Sequence, residues 1–495
     1  MAGGGINWNN RINWNNMQCW KPLLFLVLAA VALRFFSFFP SVIDHDESTY
    51  IVIGKALLDG QTYFVDAADT KPVGIFLVYA FFEWLTGNSI FLIRLLTAVW
   101  VGLTGFSLFL LSVRVYGREA GARIGWAAGI MYLFLTSIWT FFGLSPNTEL
   151  FFNLFNILAV WIAYKQPAAW RYALAGILLG LGFVIKYVTL FDAAALGFFM
   201  IWTAWRDKQP FLPLFLRLTV LGAAMALPFL TVIGYYYAIG ELDTLWHYTF
   251  KVTGSYPVDK VWWKTAKFLI DLPLRFFPLT IMAVYSFREP VQEEKDFHRF
   301  LVLWILLDMV VIALPGKFFF HYFIQVMPAF SLLAASFFHP AKQQGRWLRR
   351  WPRKWAVGAL SGLALATAVI QKIEIFDKPD YPRQVARYLR PLLSDDDRIY
   401  TGNYHHILYF LLRKQSPTPY VHSSLLWEPH HADALDVDLA AETAKIMEQR
   451  PKYVLLRKKY PENALSDAIL NRYRPVHSFD DDVTLYEIIN DPEQE

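Results

Sequence analysis

The feature that most constrains this chain is a series of apolar stretches, each about as long as a bilayer crossing, spread over its first three-quarters. A span needs about 20 predominantly apolar residues. About eleven stretches meet that length: residues 20–40, 89–113, 122–142, 146–164, 170–187, 189–205, 211–238, 266–287, 299–315, 318–338 and 355–376. In lipid a chain must satisfy its backbone N–H and C=O groups internally, so each stretch reads as a helix. The expected fold class is a polytopic α-helical membrane protein. Composition agrees, with 56% hydrophobic, 17% aromatic and only 18% charged residues, where a soluble domain is about 25% charged. A disordered chain, a disulfide scaffold and an ordinary soluble enzyme are excluded. The one cysteine, Cys19, can form neither an internal disulfide nor a cysteine metal cluster. A net charge of +5 is too small to point to nucleic acid. Residues 72–86 are apolar but short, and read as a helix dipping into the interface.

Charge along the chain orients these spans. Alternate connections carry Arg114, Arg118 and Arg123; Lys165 and Arg171; Arg206, Lys208 and Arg217; Arg288, Lys295 and Arg299; and a last group from Lys342 to Lys354. By the positive-inside rule these face the cytoplasm. The N-terminus is then inside, and the C-terminus is on the outer, periplasmic side of a plasma (inner) membrane. Residues 1–19 read as a disordered cytoplasmic tail, with no cleavable signal. Residues 20–376 form the transmembrane domain, with a long outer loop at 41–88 and a second long outer connection at 241–263. From 377 to 495 the chain is rich in Asp, Arg, Pro and His. Short apolar runs such as Tyr453 to Leu456 alternate there with helical stretches such as Ala440 to Gln449. That pattern predicts a small α/β domain outside the cytoplasm.

The chemistry-bearing residues gather where spans meet the outer side. The first outer loop opens Asp44-His45-Asp46-Glu47-Ser48-Thr49-Tyr50. Acids at a helix start suit its dipole, so a plain N-terminal cap accounts for them as well as a carboxylate held at the membrane surface as a general base. Lys71-Pro72 closes the loop. A lone interfacial lysine most often snorkels; its alternative is a cation for an anionic headgroup. Ser145-Pro146-Asn147-Thr148-Glu149 starts the fourth span, where capping is again the bland reading. A carboxylate leading into Leu150-Phe151-Phe152 costs about 2.5–3.5 kcal/mol or more if it faces lipid, which favours a cavity. Lys186 ends the fifth span, Asp192 lies one turn into the sixth, and Lys317, His321 and Tyr322 start the tenth. Asp46, Lys71, Glu149, Lys186, Lys317 and Tyr322 thus fall on one membrane face under one topology. Asp271 and Arg275 read as a structural ion pair. His405-His406 is a poor metal pair, because adjacent residues point apart. The chain has no phosphate loop, nucleotide fingerprint or zinc-protease motif.

These residues carry a resemblance. Asp46-Glu47-Ser48-Thr49-Tyr50 with Leu58-Asp59-Gly60, then Lys71-Pro72, Asn88 to Arg94, Asn147-Thr148-Glu149, Gly182 to Lys186, and Lys317 to Tyr322 followed by Pro328 resemble, in order and spacing, the GT-C membrane glycosyltransferases of the protein O-mannosyltransferase-like superfamily. Among these the pattern is most similar to the lipid A aminoarabinose transferase. The match spans most of the first 340 residues. Three positions depart: Val73 stands in place of the second proline of Lys-Pro-Pro, Thr49 where the aminoarabinose transferase has an arginine, and Ala68 where it has a tyrosine.

The resemblance implies a GT-C fold and an inverting transfer of sugar from a polyprenyl-phosphate-sugar donor to a lipid, glycan or protein acceptor, as in building a lipopolysaccharide or other cell-envelope glycan. Asp46, Glu47 and Glu149 are the implied catalytic acids. Lys71, Lys186, Lys317, His321 and Tyr322 are the implied donor lipid-phosphate site. No metal ligand set and no certain cofactor are implied, and a divalent cation is compatible with the acids. The alternative is a polytopic transporter or flippase of a lipid-linked sugar, which also needs buried charge, although no inverted repeat is visible. A membrane assembly protein without catalysis is the third reading.

Overall fold

The structure, a computed structural model, describes residues 19–255, 261–291, 295–343 and 353–489. The expected cytoplasmic tail lies outside the described residues apart from Cys19, as does most of the basic connection around Arg349. The chain divides into two compact units. One comprises Met1–Phe38, Arg94–Thr231 and Val258–Glu374; the other comprises Phe39–Ile93, Val232–Pro257 and Ile375–Glu495.

Nearly every apolar stretch is helical. In chain order the first nine main helices are α1 Trp20–Leu33, α2 His45–Leu58, α3 Val73–Thr86, α4 Ile90–Tyr116, α5 Arg118–Leu135, α6 Thr148–Ala163, α7 Ala169–Ile185, α8 Thr189–Arg206 and α9 Phe211–Ala238. Helices also cover Lys295–Ala313, Met327–Ala335 and Arg353–Gln371. By length and composition, three helical stretches among the described residues are long and apolar enough to cross a membrane: Ile90–Tyr116, Phe211–Ala238 and Val357–Leu392. Shorter apolar helices include α1, α3, α6 and α7.

Two expected spans are broken. Residues 266–287 form two helices, Trp262–Arg275 and Phe277–Arg288, bent by 87°. Pro273 lies inside the first and Pro278 at the start of the second. Proline cannot donate to the helical ladder and pushes the residue before it out of helical geometry, so the ladder fails near Phe276. Residues 318–338 likewise divide into a 3-10 turn, Phe320–Ile324, and the helix Met327–Ala335 with Pro328 in its first turn.

In the first unit α6 and α7 form an antiparallel hairpin. Its N-terminal and C-terminal ends, Glu149 and Lys186, must therefore lie at the same level. Helix α7 is held against α9 by Gly176 and Gly180. A Cβ at Gly176 would sit 2.4 Å from the Leu221 carbonyl oxygen, and one at Gly180 2.3 Å from that of Met225. Small residues four apart permit this approach, which maximises dispersion contacts where no hydrophobic force drives helices together. The unit also buries a polar group among its apolar side chains. Trp304 Nε1 donates to Asp192 at 2.7 Å, and the Gln325 amide donates to Asp192 at 3.1 Å and to Asp308 at 3.0 Å.

The second unit contains the outer-loop helices α2 and α3 and the C-terminal region. That region carries a four-stranded sheet in the order β1-β2-β4-β3: β1 Ile399–Tyr400, β2 Tyr453–Arg457, β3 Tyr473–Phe479 and β4 Val483–Ile488. β1 pairs parallel to β2, and the other pairings are antiparallel. The run Tyr453 to Leu456 is indeed a strand, and the stretch Ala440 to Gln449 is the helix Leu439–Glu448 with its Asp438 cap. Helices Leu439–Glu448 and Ala464–Arg472 cover one face of the sheet through Ile446, Met447, Leu465 and Ile469, packed on Val454 and Leu456.

Candidate functional site

In the second unit the acidic start of α2 separates into a helix cap, Asp44, and an ion-paired carboxylate, Asp46. The Asp44 carboxylate is the cap and accepts from the Asp46 backbone N–H at 3.2 Å. Asp46 therefore does not cap the helix. Its Oδ1 lies 2.9 Å from Lys71 Nζ, and both side chains are 23% exposed. Lys71 is also 3.5 Å from the buried Asp69 carboxylate, and sits over the Tyr50 ring at 5.4 Å from its centroid. The loop that brings it there is pinned by the Tyr63 hydroxyl, which donates to the carbonyls of Asp69 (3.1 Å) and Lys71 (2.5 Å). Ala68 N–H donates to Pro419 at 2.7 Å. Glu47, one residue on, is fully buried in α2.

The C-terminal region adds three histidines around His45 that the sequence pattern did not single out as a group. His45 stacks on His405 with ring centroids 4.7 Å apart, and lies 5.8 Å from His406 and 6.1 Å from His422. His406 and His422 are 5.1 Å apart. The adjacent pair points apart as expected: His405 Nε2 faces Arg457 at 3.1 Å, whereas His406 Nε2 faces Thr49 Oγ1 at 2.8 Å and the His45 carbonyl at 3.1 Å. Thr49, at the position where the resembled transferase has an arginine, thus serves as a docking point. Burial, then His422 and Arg457, pushes His45 down to about 4. Burial, then His45 and Arg457, pushes His405 down to about 3. Burial and the neighbouring rings hold His406 well below its ordinary value. Among the described residues, no three His, Cys, Asp or Glu side chains are placed to hold a metal ion.

In the first unit Glu149 and Lys186 form an ion pair, with Glu149 1% exposed and Lys186 20% exposed. Thr148 Oγ1 donates to the other carboxylate oxygen at 3.1 Å. Asn147 is the N-cap residue, though its side chain makes no capping hydrogen bond, and Glu149 lies in the first turn, as the capping reading also has it. The Lys186 ammonium lies 4.3 Å from the Tyr322 ring centroid, and His321 meets that ring edge-on at 4.7 Å. Lys317 precedes this turn and is half-buried. The turn is anchored by Asn153, which donates to the Ile324 carbonyl at 2.8 Å, and by Gln325 between Asp192 and Asp308. Asp271 and Arg275 form the expected pair, with two parallel hydrogen bonds of 2.9 and 3.0 Å.

The expected site residues therefore appear as two sets: Asp46 with Lys71 in the second unit, and Glu149 with Lys186, His321 and Tyr322 in the first. Sequence reasoning missed His422, Asp308 and Gln325. Asp308 carried a signal, since it is an acid inside an apolar stretch. His422 carried none.

The sequence profile of the dolichyl-phosphate-mannose-protein mannosyltransferase family matches residues 70–232. No curated protein matches significantly by sequence. The fold is similar to that of ArnT from Cupriavidus metallidurans. The apo structure superposes with a TM-score of 0.65 at 14% identity, covering 94% of this chain and 97% of that one. The structure of the same protein bound to undecaprenyl phosphate gives 0.62 at 14% identity, covering 95% and 98%. The oligosaccharyltransferase of Archaeoglobus fulgidus in its apo form gives 0.51 at 12% identity, covering 90% and 70%. The resemblance read from the sequence stands, and the fold is of the GT-C type.

Proposed function

We propose that this protein is an integral membrane glycosyltransferase that moves a sugar from a polyprenyl-phosphate donor to a lipid, glycan or protein acceptor. The observation that carries the reading is the Asp46–Lys71 pair: a partly exposed carboxylate and ammonium 2.9 Å apart, beside a loop where the mannosyltransferase profile begins. The fold shared with ArnT, one structure of which holds undecaprenyl phosphate, supports a polyprenyl-phosphate donor.

In this reading an acceptor oxygen attacks the anomeric carbon as the bond from that carbon to the donor phosphate breaks. The bond's electron pair leaves with polyprenyl phosphate, and the sugar inverts. For a hydroxyl acceptor, Asp46 takes the proton. Lys71 stabilises charge developing on the leaving phosphate, more strongly in a water-poor setting than in bulk water. In the first unit, taken by itself, Lys186, Lys317, His321 and Tyr322 are assigned to binding an anionic lipid headgroup, with Glu149 holding the Lys186 ammonium in place. Glu47, buried in the first turn of α2 next to Asp46, is kept as a candidate catalytic acid. Residues 20–376 form the GT-C domain of about eleven spans, and 377–495 the outer domain. The basic connections favour a cytoplasmic N-terminus and outer-face chemistry.

The test is transfer by purified protein from a panel of polyprenyl-phosphate sugars, comparing wild type with Asp46→Asn and Lys71→Ala. Loss in variants that still fold supports the reading. Retained activity in Asp46→Asn removes the proposed base and favours a phosphate acceptor. Lipid-linked sugar moved across proteoliposomes without any transfer would favour a flippase instead.

A further inference from the structure

The Asp46 carboxylate has a second neighbour, from the C-terminal region. His422 Nε2 lies 3.9 Å from Asp46 Oδ1. The other ring nitrogen, Nδ1, is 3.2 Å from the Ser424 backbone nitrogen and 2.8 Å from its Oγ. A backbone N–H can only donate, so Nδ1 must carry the lone pair. Burial lowers the His422 ring below its ordinary value against the pull of Asp69 and Asp46, with Lys71 and His431 adding to the lowering. The ring is therefore neutral near pH 7, and its one proton sits on Nε2, facing Asp46.

We infer that His422 is a positioning residue for Asp46, presenting its Nε2–H to the carboxylate so that the base stays ionised and aimed. The inference rests on Asp46 being the general base. At 3.9 Å the contact is short of a hydrogen bond, and catalytic contacts commonly tighten only once substrate is bound. Its value lies in what Lys71 does. An ammonium 2.9 Å from Asp46 makes the carboxylate a weaker base, and during transfer it is drawn toward the leaving phosphate. A neutral N–H donor then holds the carboxylate's orientation without a full positive charge. The groups facing this ring are Asp46, Asp69, Lys71 and His431, with the His45 and His406 rings beside it.

The test uses two variants of full-length protein. His422→Gln keeps an N–H near the position of Nε2, and His422→Phe keeps a ring without a donor. A general base is worth about 10²–10⁴-fold, so losing its positioning partner should lower kcat on the order of tenfold. The donor KM should be unchanged, and the acid limb of the kcat profile should move to higher pH, because the ionised carboxylate has lost a donor. His422→Gln should recover most of the rate. Equal kcat and equal pH limbs in wild type and His422→Phe would overturn the inference while leaving the transferase reading intact.

A second readout needs no activity. In protein labelled with ¹⁵N-histidine, the His422 signal, identified by its loss in His422→Gln, should show the Nε2-protonated tautomer and should shift in Asp46→Asn. An Nδ1-protonated ring, or one indifferent to Asp46→Asn, overturns the inference. A correct tautomer and coupling with no transfer from any donor would count against the transferase reading and not against the contact.

Discussion

Acidification should loosen the contact between the C-terminal region and α2, and the four-histidine cluster sets how much. His45 and His405 have folded values of about 4 and about 3, against about 6.5 for an unperturbed histidine. Below pH 6.5 the unfolded chain binds protons that the folded rings refuse, so stability is full above that pH. It is lost as the pH falls from about 6.5 toward the folded values. For one such ring, the loss between pH 7 and pH 5 is about 2 kcal/mol, from 1.36 kcal/mol per pH unit over the part of the window crossed. Both folded rings stay neutral down to pH 5, so the two losses add to about 4 kcal/mol. The assay is thermal unfolding of purified protein at pH 7 and pH 5, wild type against His405→Gln. A kcal/mol shifts Tm by about 2–4 °C for a unit of this size. The acid-induced drop should therefore be smaller in His405→Gln by about 4–8 °C, and hydrogen exchange at Ile407–Leu412 should show where. Parallel drops in both proteins would refute the reasoning, because any acid lability from carboxylates is common to the two.

Other expectations follow from single contacts. Lys186→Met leaves the Glu149 carboxylate buried without its cation. It should cost about 3–5 kcal/mol, much of it recovered in the double variant with Glu149→Gln, as read by thermal unfolding in detergent. Gly180→Ala places a Cβ 2.3 Å from the Met225 carbonyl oxygen, whereas a Cβ at Gly197 meets nothing within 4 Å. The first should destabilise by about 1–3 kcal/mol and Gly197→Ala should not. With Cys19→Ser as background, a cysteine introduced by Lys208→Cys should react only from the cytoplasmic side and one introduced by Asp396→Cys only from the outer side. Labelling of both from one side would end the topology.

What could be read in the sequence follows the range over which each physical signal acts. Hydropathy is local, so it located nearly every helix of the first unit. It averages over about 20 residues, and therefore read 266–287 as one span although Pro273 and Pro278 break it at Phe276. The sequence placed Glu149 and Lys186 on one membrane face, since the start of one helix and the end of the next in a hairpin share a level, but their pairing came only from the structure. The acids of α2 were visible as a group, but their division of labour was not. Only geometry separates Asp44, which caps, from Asp46, which meets Lys71. His422 follows Asp46 by 376 positions in a region of short irregular elements, and no periodicity relates the two.

The two acid–lysine pairs differ in burial, and burial decides what each can do. Glu149 is 1% exposed, and exchanging its partner would leave a charge in an apolar surrounding at a cost of several kcal/mol. Such a pair resists parting and suits fixing the Lys186 ammonium against the Tyr322 ring. Asp46 and Lys71 are both 23% exposed, where the penalty for parting is far smaller. Under the proposed function that pair opens, releasing the lysine to the donor phosphate and the carboxylate to the acceptor's proton. A partner that does not leave with the phosphate is then needed to keep the carboxylate aimed, and the neutral His422 ring is the group placed to do so.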